Sequence, residues 1–284
     1  MSIEIQCPSG MRFRARLMKV RELRDLAVAA ETNASDGGLT GLLSACWEEL
    51  VQPSPAYPFM VEGSQPDWQR VLDGDVTVAL LRLRRATLGP LYDFVARCGQ
   101  CGRQQPKDLT VDIDAWQERP YPEAALAACA TGAPLEARML DGTVVRYSPQ
   151  VIGQHAKLVA AKKRWQSALS RKFGGASDQA KKALRPQEWD WLVRQVSVVE
   201  TLGERSRDSL ALIEWADDLD LGEYYHLRDQ IMATEGGVDT TVKFTCQFAN
   251  CEWEQEANVP FAGGFFRPPL KTRPVTEEDG PPAS

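Results

Sequence analysis

Hydrophobic and polar positions alternate over Ile3 to Gln6 and again over Met11 to Met18, on either side of Pro8-Ser9-Gly10. Alternation is the two-residue period of a strand, so this stretch predicts an N-terminal β-hairpin with Phe13 and Leu17 near one core. The period changes at Lys19. Val20, Leu23, Leu26 and Ala27 recur at helical spacing as far as Glu31, and Asn33 to Gly38 interrupts them. A second helix is expected from Leu39 to Val51, followed by a proline-rich loop from Pro53 to Pro58 and a short turn that Asp67 caps through Trp68 and Leu72. From Asp75 to Leu88 the apolar Val78, Ala79, Leu81 and Leu83 mix with Arg82, Arg84 and Arg85, which predicts a helix ending at Gly89-Pro90.

Beyond that stop the alternation returns. Leu91 to Arg97 runs into Cys98-Gly99-Gln100-Cys101, and Leu109 to Asp114 alternates strictly on the way back, so a hairpin with paired cysteines at its tip is expected. Pro122 to Ala130 reads as a helix. Glu136 to Leu140 and Thr143 to Tyr147 read as a hairpin turned by Asp141-Gly142. Helical patterns then run from Ser148 towards Phe173, from Pro186 through Trp189, Leu192, Val196 and Val199, and from Ser209 to Met232 with a break between Asp217 and Leu221. Val238 to Thr245 and Glu252 to Val259 alternate around Cys246 and Cys251, a second hairpin with cysteines at its tip. Pro268 to Ser284, rich in proline and charge, is expected to be disordered unless a partner holds it.

These elements predict an α+β fold: a helical body with short β-hairpins, two of which pair their cysteine tips into a zinc ribbon. The expected division is an N-terminal hairpin and helices over 1–90, a ribbon made of 91–116 with 236–262, a hairpin and mainly helical middle over 117–235, and a disordered tail over 263–284.

The seven cysteines are odd in number, and Met1 to Gly10 lacks the basic-then-apolar layout of a secretory signal, so a disulfide framework is not expected. With no long apolar run either, the chain reads as soluble and cytoplasmic when made. Cys7, Cys46 and Cys129 stand singly among apolar or small neighbours and are assigned to packing. Cys98, Cys101, Cys246 and Cys251 are assigned to one structural zinc ion, because a tight turn carrying two thiolates supplies half a tetrahedron and both turns are flanked by strands. Joining sites about 145 residues apart would close a large loop, and a structural zinc contributes on the order of 10 kcal/mol to the folded state. Four thiolate ligands leave no open position for a catalytic water. Two rival readings stand beside this one. A CxxC can be a redox pair, but that chemistry places the first cysteine at a helix N-terminus, and here both flanks are strands. Alternatively the four cysteines are simply reduced and buried. His155 and His226, on helical stretches, are assigned no ligand role.

Hydrophobic residues make up 43% of the chain and charged residues 25%, an ordinary globular balance, and the net charge of −6 argues against a dedicated nucleic-acid binder. One interval, Lys157 to Arg185, is locally basic and would carry the alternative reading of a zinc-ribbon nucleic-acid-binding protein, although few aromatics interleave it and the solvated face of a helical hairpin explains it better. Trp189, Trp191 and Trp215 read as core or interface anchors, and the carboxylates from Glu214 to Glu223 as a solvated acidic face. Gly236-Gly237 and Gly263-Gly264 lack the flanking residues of a phosphate loop. No catalytic constellation is evident, and neither a small-molecule substrate nor a membrane is expected.

Several segments, taken in order, resemble the baseplate hub and hub-assembly proteins of contractile-tailed bacteriophages related to the T-even phages. They are Ser9-Gly10 with Phe13 and Arg16 to Lys19, then Asp73-Gly74-Asp75 with Leu80-Leu81-Arg82-Leu83-Arg84, then Thr87 to Tyr92 before Cys98-Gly99-Gln100-Cys101. The run Gly236-Gly237-Val238-Asp239-Thr240-Thr241, with Cys246, Cys251 and Pro260-Phe261, is similar to that family's closing zinc hairpin. The resemblance extends from Ser9 to Phe261, with little signature in the middle third. The chain departs from the pattern at Cys246 to Cys251, where the family more often has two intervening residues. The resemblance implies a non-enzymatic structural protein or assembly chaperone of a phage tail or related contractile injection particle. Its implied partners are other tail or baseplate hub proteins, and its implied location is the host cytoplasm during assembly or the virion tail baseplate.

Overall fold

The computed structural model describes residues 2–31, 35–61, 64–105, 109–154, 199–202, 218–259 and 263–266, with Ser167 and Trp215 as single residues between them. The chain is mixed α+β: five helices and several small antiparallel sheets among the described residues.

The alternating N-terminus forms β1 (Ser2–Gln6) and β2 (Arg12–Arg16), paired antiparallel with Ile5 opposite Phe13. Gly10, at φ 87°, takes the left-handed turn that a side chain resists. Ile5, Phe13 and Ala15 point inward, whereas Leu17 lies past the end of β2 and is only half-buried. Next come α1 (Val20–Glu31) and α2 (Ser35–Cys46), and then β3 (Trp47–Gln52), which pairs with β2. Two expectations change here. The second helix begins before Leu39 and ends at Cys46, and the residues beyond it form a strand. Trp47 stacks on Phe13 with ring centroids 4.7 Å apart, so pairing and stacking against β2 outweigh the helical preference of the Glu-Glu-Leu stretch. Val20, read as part of the apolar stripe, is 82% exposed, because it opens α1 before the helix reaches the core.

The body is organised on α3 (Asp73–Leu88), whose Val76, Val78, Ala79, Leu80 and Leu83 are buried and which stops at Gly89, φ 89°. After it follow β4 (Leu91–Phe94) and β5 (Leu109–Asp112), which pair antiparallel, the short β6 (Glu118–Arg119) and α4 (Glu123–Thr131). β7 (Leu135–Arg138) and β8 (Val144–Tyr147) form the expected Asp-Gly hairpin, joined by β9 (Val199–Leu202). Val199 therefore ends in a strand, not on the helix predicted from Pro186. Ser148 to Gln154 does not open a helix either: Val151 bridges to Leu72 and Ile152–Gln154 is a single 3-10 turn. Apart from Ser167, the rest of the stretch to Phe173, the Lys157–Arg185 interval, His155, Trp189, Trp191 and the tail from Pro268 lie outside the described residues.

α5 (Leu221–Ala233) begins after the expected break, and Glu223 at its start accepts the Leu140 and Asp141 amides of the β7–β8 turn, both at 2.9 Å. The chain closes with β10 (Gly237–Val238), paired with β6, and with β11 (Thr241–Thr245) paired to β12 (Glu254–Asn258). Residues 263–266, assigned to the tail from the sequence, instead make a 3-10 turn whose Phe265 and Phe266 are fully buried. Their apolar area outweighs the disordering effect of the glycines before them. One buried cluster runs from the N-terminal sheet through α3 to the roots of both cysteine hairpins, including Phe94, Ile113, Val259 and Phe265.

Two packing features tie separated segments to α3. Gly74 approaches Gly236 so closely that a Cβ would collide with the Gly236 carbonyl and stand 2.5 Å from Tyr121 Oη, so glycine at this position permits the close approach. Asp75 is fully buried and accepts hydrogen bonds from the Ser9 amide (2.9 Å), Ser9 Oγ and Tyr57 Oη (2.6 Å). Burial raises its pKa from 3.8 to about 6, and the three donors offset this only in part. Glu22 moves the opposite way: burial pushes it up, but Arg16, Arg21 and the Lys19 amide together hold it at about 2.

The sign of the pH effect follows. Asp75, raised in the fold, contributes stability that is fully present below about pH 3.8 and is lost as pH rises through about 6, on the order of 3 kcal/mol at 1.36 kcal/mol per pH unit. Glu22, depressed in the fold, contributes stability present above about pH 4.5 and lost as pH falls towards 2. An Asp75→Asn variant should therefore gain on the wild type as pH is raised from 4.5 to 7.5. Urea midpoints of both proteins at the two pH values measure this, and a constant difference between them would show that Asp75 does not titrate there.

Candidate metal centre

The CxxC tip sits between β4 and β5, and the second cysteine pair between β11 and β12. The two tips meet. Sγ of Cys98, Cys101, Cys246 and Cys251 all lie within 4.8 Å of one another, with Cys98 to Cys251 at 3.7 Å and Cys101 to Cys246 at 3.9 Å. None of the four is in a disulfide. A sulfur–sulfur bond needs about 2.05 Å, whereas four thiolates about 2.3 Å from a central ion stand about 3.8 Å apart along a tetrahedral edge. The 3.7 and 3.9 Å separations match the second geometry and the others lie within 4.8 Å, so these four residues could hold a thiophilic metal ion.

Both tips are built alike. Cys98 N–H donates to the Arg103 carbonyl at 3.0 Å and Cys246 N–H to the Trp253 carbonyl at 2.9 Å, in each case two residues past the second cysteine. The residue after the second cysteine is left-handed in both: Gly102 at φ 70° and Glu252 at φ 44°. At Cys98 this turn is closed by Gly102 N–H to the Cys98 carbonyl at 2.8 Å, and Cys101 N–H points at Cys98 Sγ at 3.5 Å. The longer Cys246–Cys251 spacing is absorbed by an extra turn in which the Cys251 and Glu252 amides both donate to the Phe248 carbonyl. The two additional residues leave the sulfurs in place.

The electrostatics suit a cation. Cys98 and Cys246 are buried, while Cys101 and Cys251 are partly exposed. Hydrogen bonds from the Arg103 amide and guanidinium lower the Cys101 thiol to about 6. Cys246 is also lowered, since donors from Phe248 and Gln105 outweigh its desolvation. Cys251 is raised to about 11: the Trp253 amide favours its thiolate, but burial and the three other sulfurs oppose it. The cluster ionises readily at first and resists a complete set of negative charges unless a positive ion balances them.

All four cysteines singled out in the sequence meet here. Cys7 and Cys46 are buried elsewhere, and burial raises the thiol of each. His226 faces the Arg138 carbonyl at 3.0 Å and is not part of the sulfur cluster. The CxxC caps a strand, not a helix, so the dipole that a redox pair uses is absent at this turn. Sequence reading missed the residues around the sulfurs. Arg103 stacks over the Phe248 ring at 3.8 Å from the opposite tip, and Gln105 and Gln255 each reach across to the other hairpin. Only Gly102, directly after the CxxC, carried a local signal of the turn it makes.

Comparison with protein-family models, with curated proteins and with solved structures gave no match. Among the described residues, no helix is long and apolar enough to cross a membrane.

Proposed function

We propose that Cys98, Cys101, Cys246 and Cys251 bind one structural zinc ion in a ribbon formed by two distant hairpins, and that the protein is a non-enzymatic structural or assembly component of a phage tail baseplate hub. The convergence of the four sulfurs carries the first half of this reading. When bound, zinc supplies charge balance and a fixed tetrahedral geometry, and four cysteine ligands leave it no open position for water. The protein's own contribution is to present two thiolates from each tip and to anchor the tips in the common core through Phe94, Val242 and Phe244.

The second half rests on the resemblance to hub and hub-assembly proteins, and on how the resembling segments relate to one another. Ser9 hydrogen-bonds Asp75, Gly74 packs against Gly236, and Arg84 holds the carbonyls of Gly89 and Leu91. The first two contacts join resembling segments that lie far apart in sequence. The protein then acts by contact with other tail or hub proteins. Co-expression with the tube, hub and baseplate proteins of the same contractile particle should yield a complex that survives size-exclusion chromatography. Elution of this chain apart from all of them would refute the assembly role and leave the zinc reading standing.

A further inference from the structure

The two hairpins exchange side chains as well as sharing sulfurs. Gln105, from the first hairpin and 4% exposed, accepts the Gln247 amide on Oε1 at 2.7 Å and donates through Nε2 to Cys246 Sγ at 3.6 Å. Gln255, from the second, accepts the Gly99 amide on Oε1 at 2.7 Å and donates through Nε2 to the Arg97 carbonyl at 3.2 Å. Gln247 and Gly99 occupy equivalent places, each directly after the first cysteine of its pair. Each hairpin therefore sends one amide across to hold the other's turn.

We propose that Gln105 and Gln255 are reciprocal positioning residues that set the two half-sites in register for the metal, an inference that rests on reading the four cysteines as one metal centre. The physical requirement is specific. The four sulfurs make no covalent link between the tips, so the register of one turn against the other has to come from contacts beside them. The backbone N–H after each first cysteine also needs an acceptor. A carboxylate would supply the acceptor but add negative charge, and an ammonium would supply only donors. A neutral amide gives one acceptor and two donors, and both glutamines use each kind. The oxygen and nitrogen of each amide follow from their partners, because a flipped amide would set NH2 against N–H.

The test uses the full reduced chain, titrated with cobalt(II) as an optical probe and then with zinc against a competing chelator. Gln255→Ala removes one clamp, and Gln105→Glu keeps the acceptor for Gln247 while removing the donor to Cys246. Each should weaken metal binding about 10- to 100-fold, the range for residues that orient ligands, while the thiolate-to-cobalt band keeps its position because the same four sulfurs bind. Exposed Gln100→Ala, in the same turn, should stay within about twofold of the wild type. Binding by both clamp variants as tight as the wild type would overturn the inference and spare the metal centre. A wild-type chain that takes up neither metal would overturn both. Should Gln105→Glu fail to fold by circular dichroism, the half-exposed Gln255→Ala decides alone.

Discussion

Replacing Cys98 or Cys246 by serine should remove most of the bound zinc, about one equivalent per chain in the wild type, and lower the melting temperature in the same step. Serine is close to cysteine in size but is a poor zinc ligand, so the loss is of coordination and not of packing. The remaining three thiolates are left partly desolvated around a weakened site, and the two tips lose the link that closes the long intervening loop. A structural zinc contributes on the order of 10 kcal/mol, and losing about half of that should lower Tm by roughly 10–20 °C, at the 2–4 °C per kcal/mol expected for chains of this size. Elemental analysis and thermal melts of the reduced proteins, with and without a chelator, measure both effects. A chelator should lower the wild type at least as far as the variants and move the variants less. Serine variants that keep both metal and melting temperature would remove the basis for the clasp.

The second large effect is expected at Arg84, the largest fully buried side chain among the described residues. Its guanidinium donates to the carbonyls of Phe265 (2.9 Å), Gly89 (2.5 Å) and Leu91 (2.6 Å), and it lies 5.2 Å and 5.1 Å from the ring centroids of Tyr92 and Phe265. Among the described residues no carboxylate forms an ion pair with it, although Asp93 acts on it at longer range, so the cation is held mainly by backbone dipoles and aromatic faces. Arg84→Leu would strand three carbonyls at about 1–3 kcal/mol each, offset in part by apolar burial, for a net loss of about 3–5 kcal/mol. The 3-10 turn at 263–266 should loosen with it, because the arginine is its hydrogen-bonded link to the end of α3. Arg84→Lys, able to reach fewer carbonyls, should fall between the two. Urea midpoints together with hydrogen exchange at Phe265 and Phe266 measure this, and a leucine variant as stable as the wild type would show that the three bonds are energetically idle.

Local pattern made much of the fold legible. The hairpins at residues 2–16, 91–112, 135–147 and 241–258, the helix ending at Gly89 and the Asp67-capped turn all follow from period and punctuation that neighbouring residues supply. The misreadings share one cause. Trp47–Gln52 became a strand because β2 offered an edge and Phe13 a ring to stack on, and Phe265-Phe266 folded inward because α3 offered Arg84 and Tyr92 offered an aromatic face. Neither partner lies near in sequence, so no local window contains the reason.

The candidate site divides along the same line. Spacing and residue type alone determined which four cysteines to group, since paired thiols at strand tips form a chemical pattern that survives without coordinates. Tertiary structure decided that the four sulfurs converge within 4.8 Å of one another, that an extra turn closed on the Phe248 carbonyl absorbs the longer spacing, and that two glutamines cross between hairpins. Ligand chemistry is a property of side chains and is written locally. Register between two distant hairpins is a property of the packed core, and it exists only once the chain between them has folded.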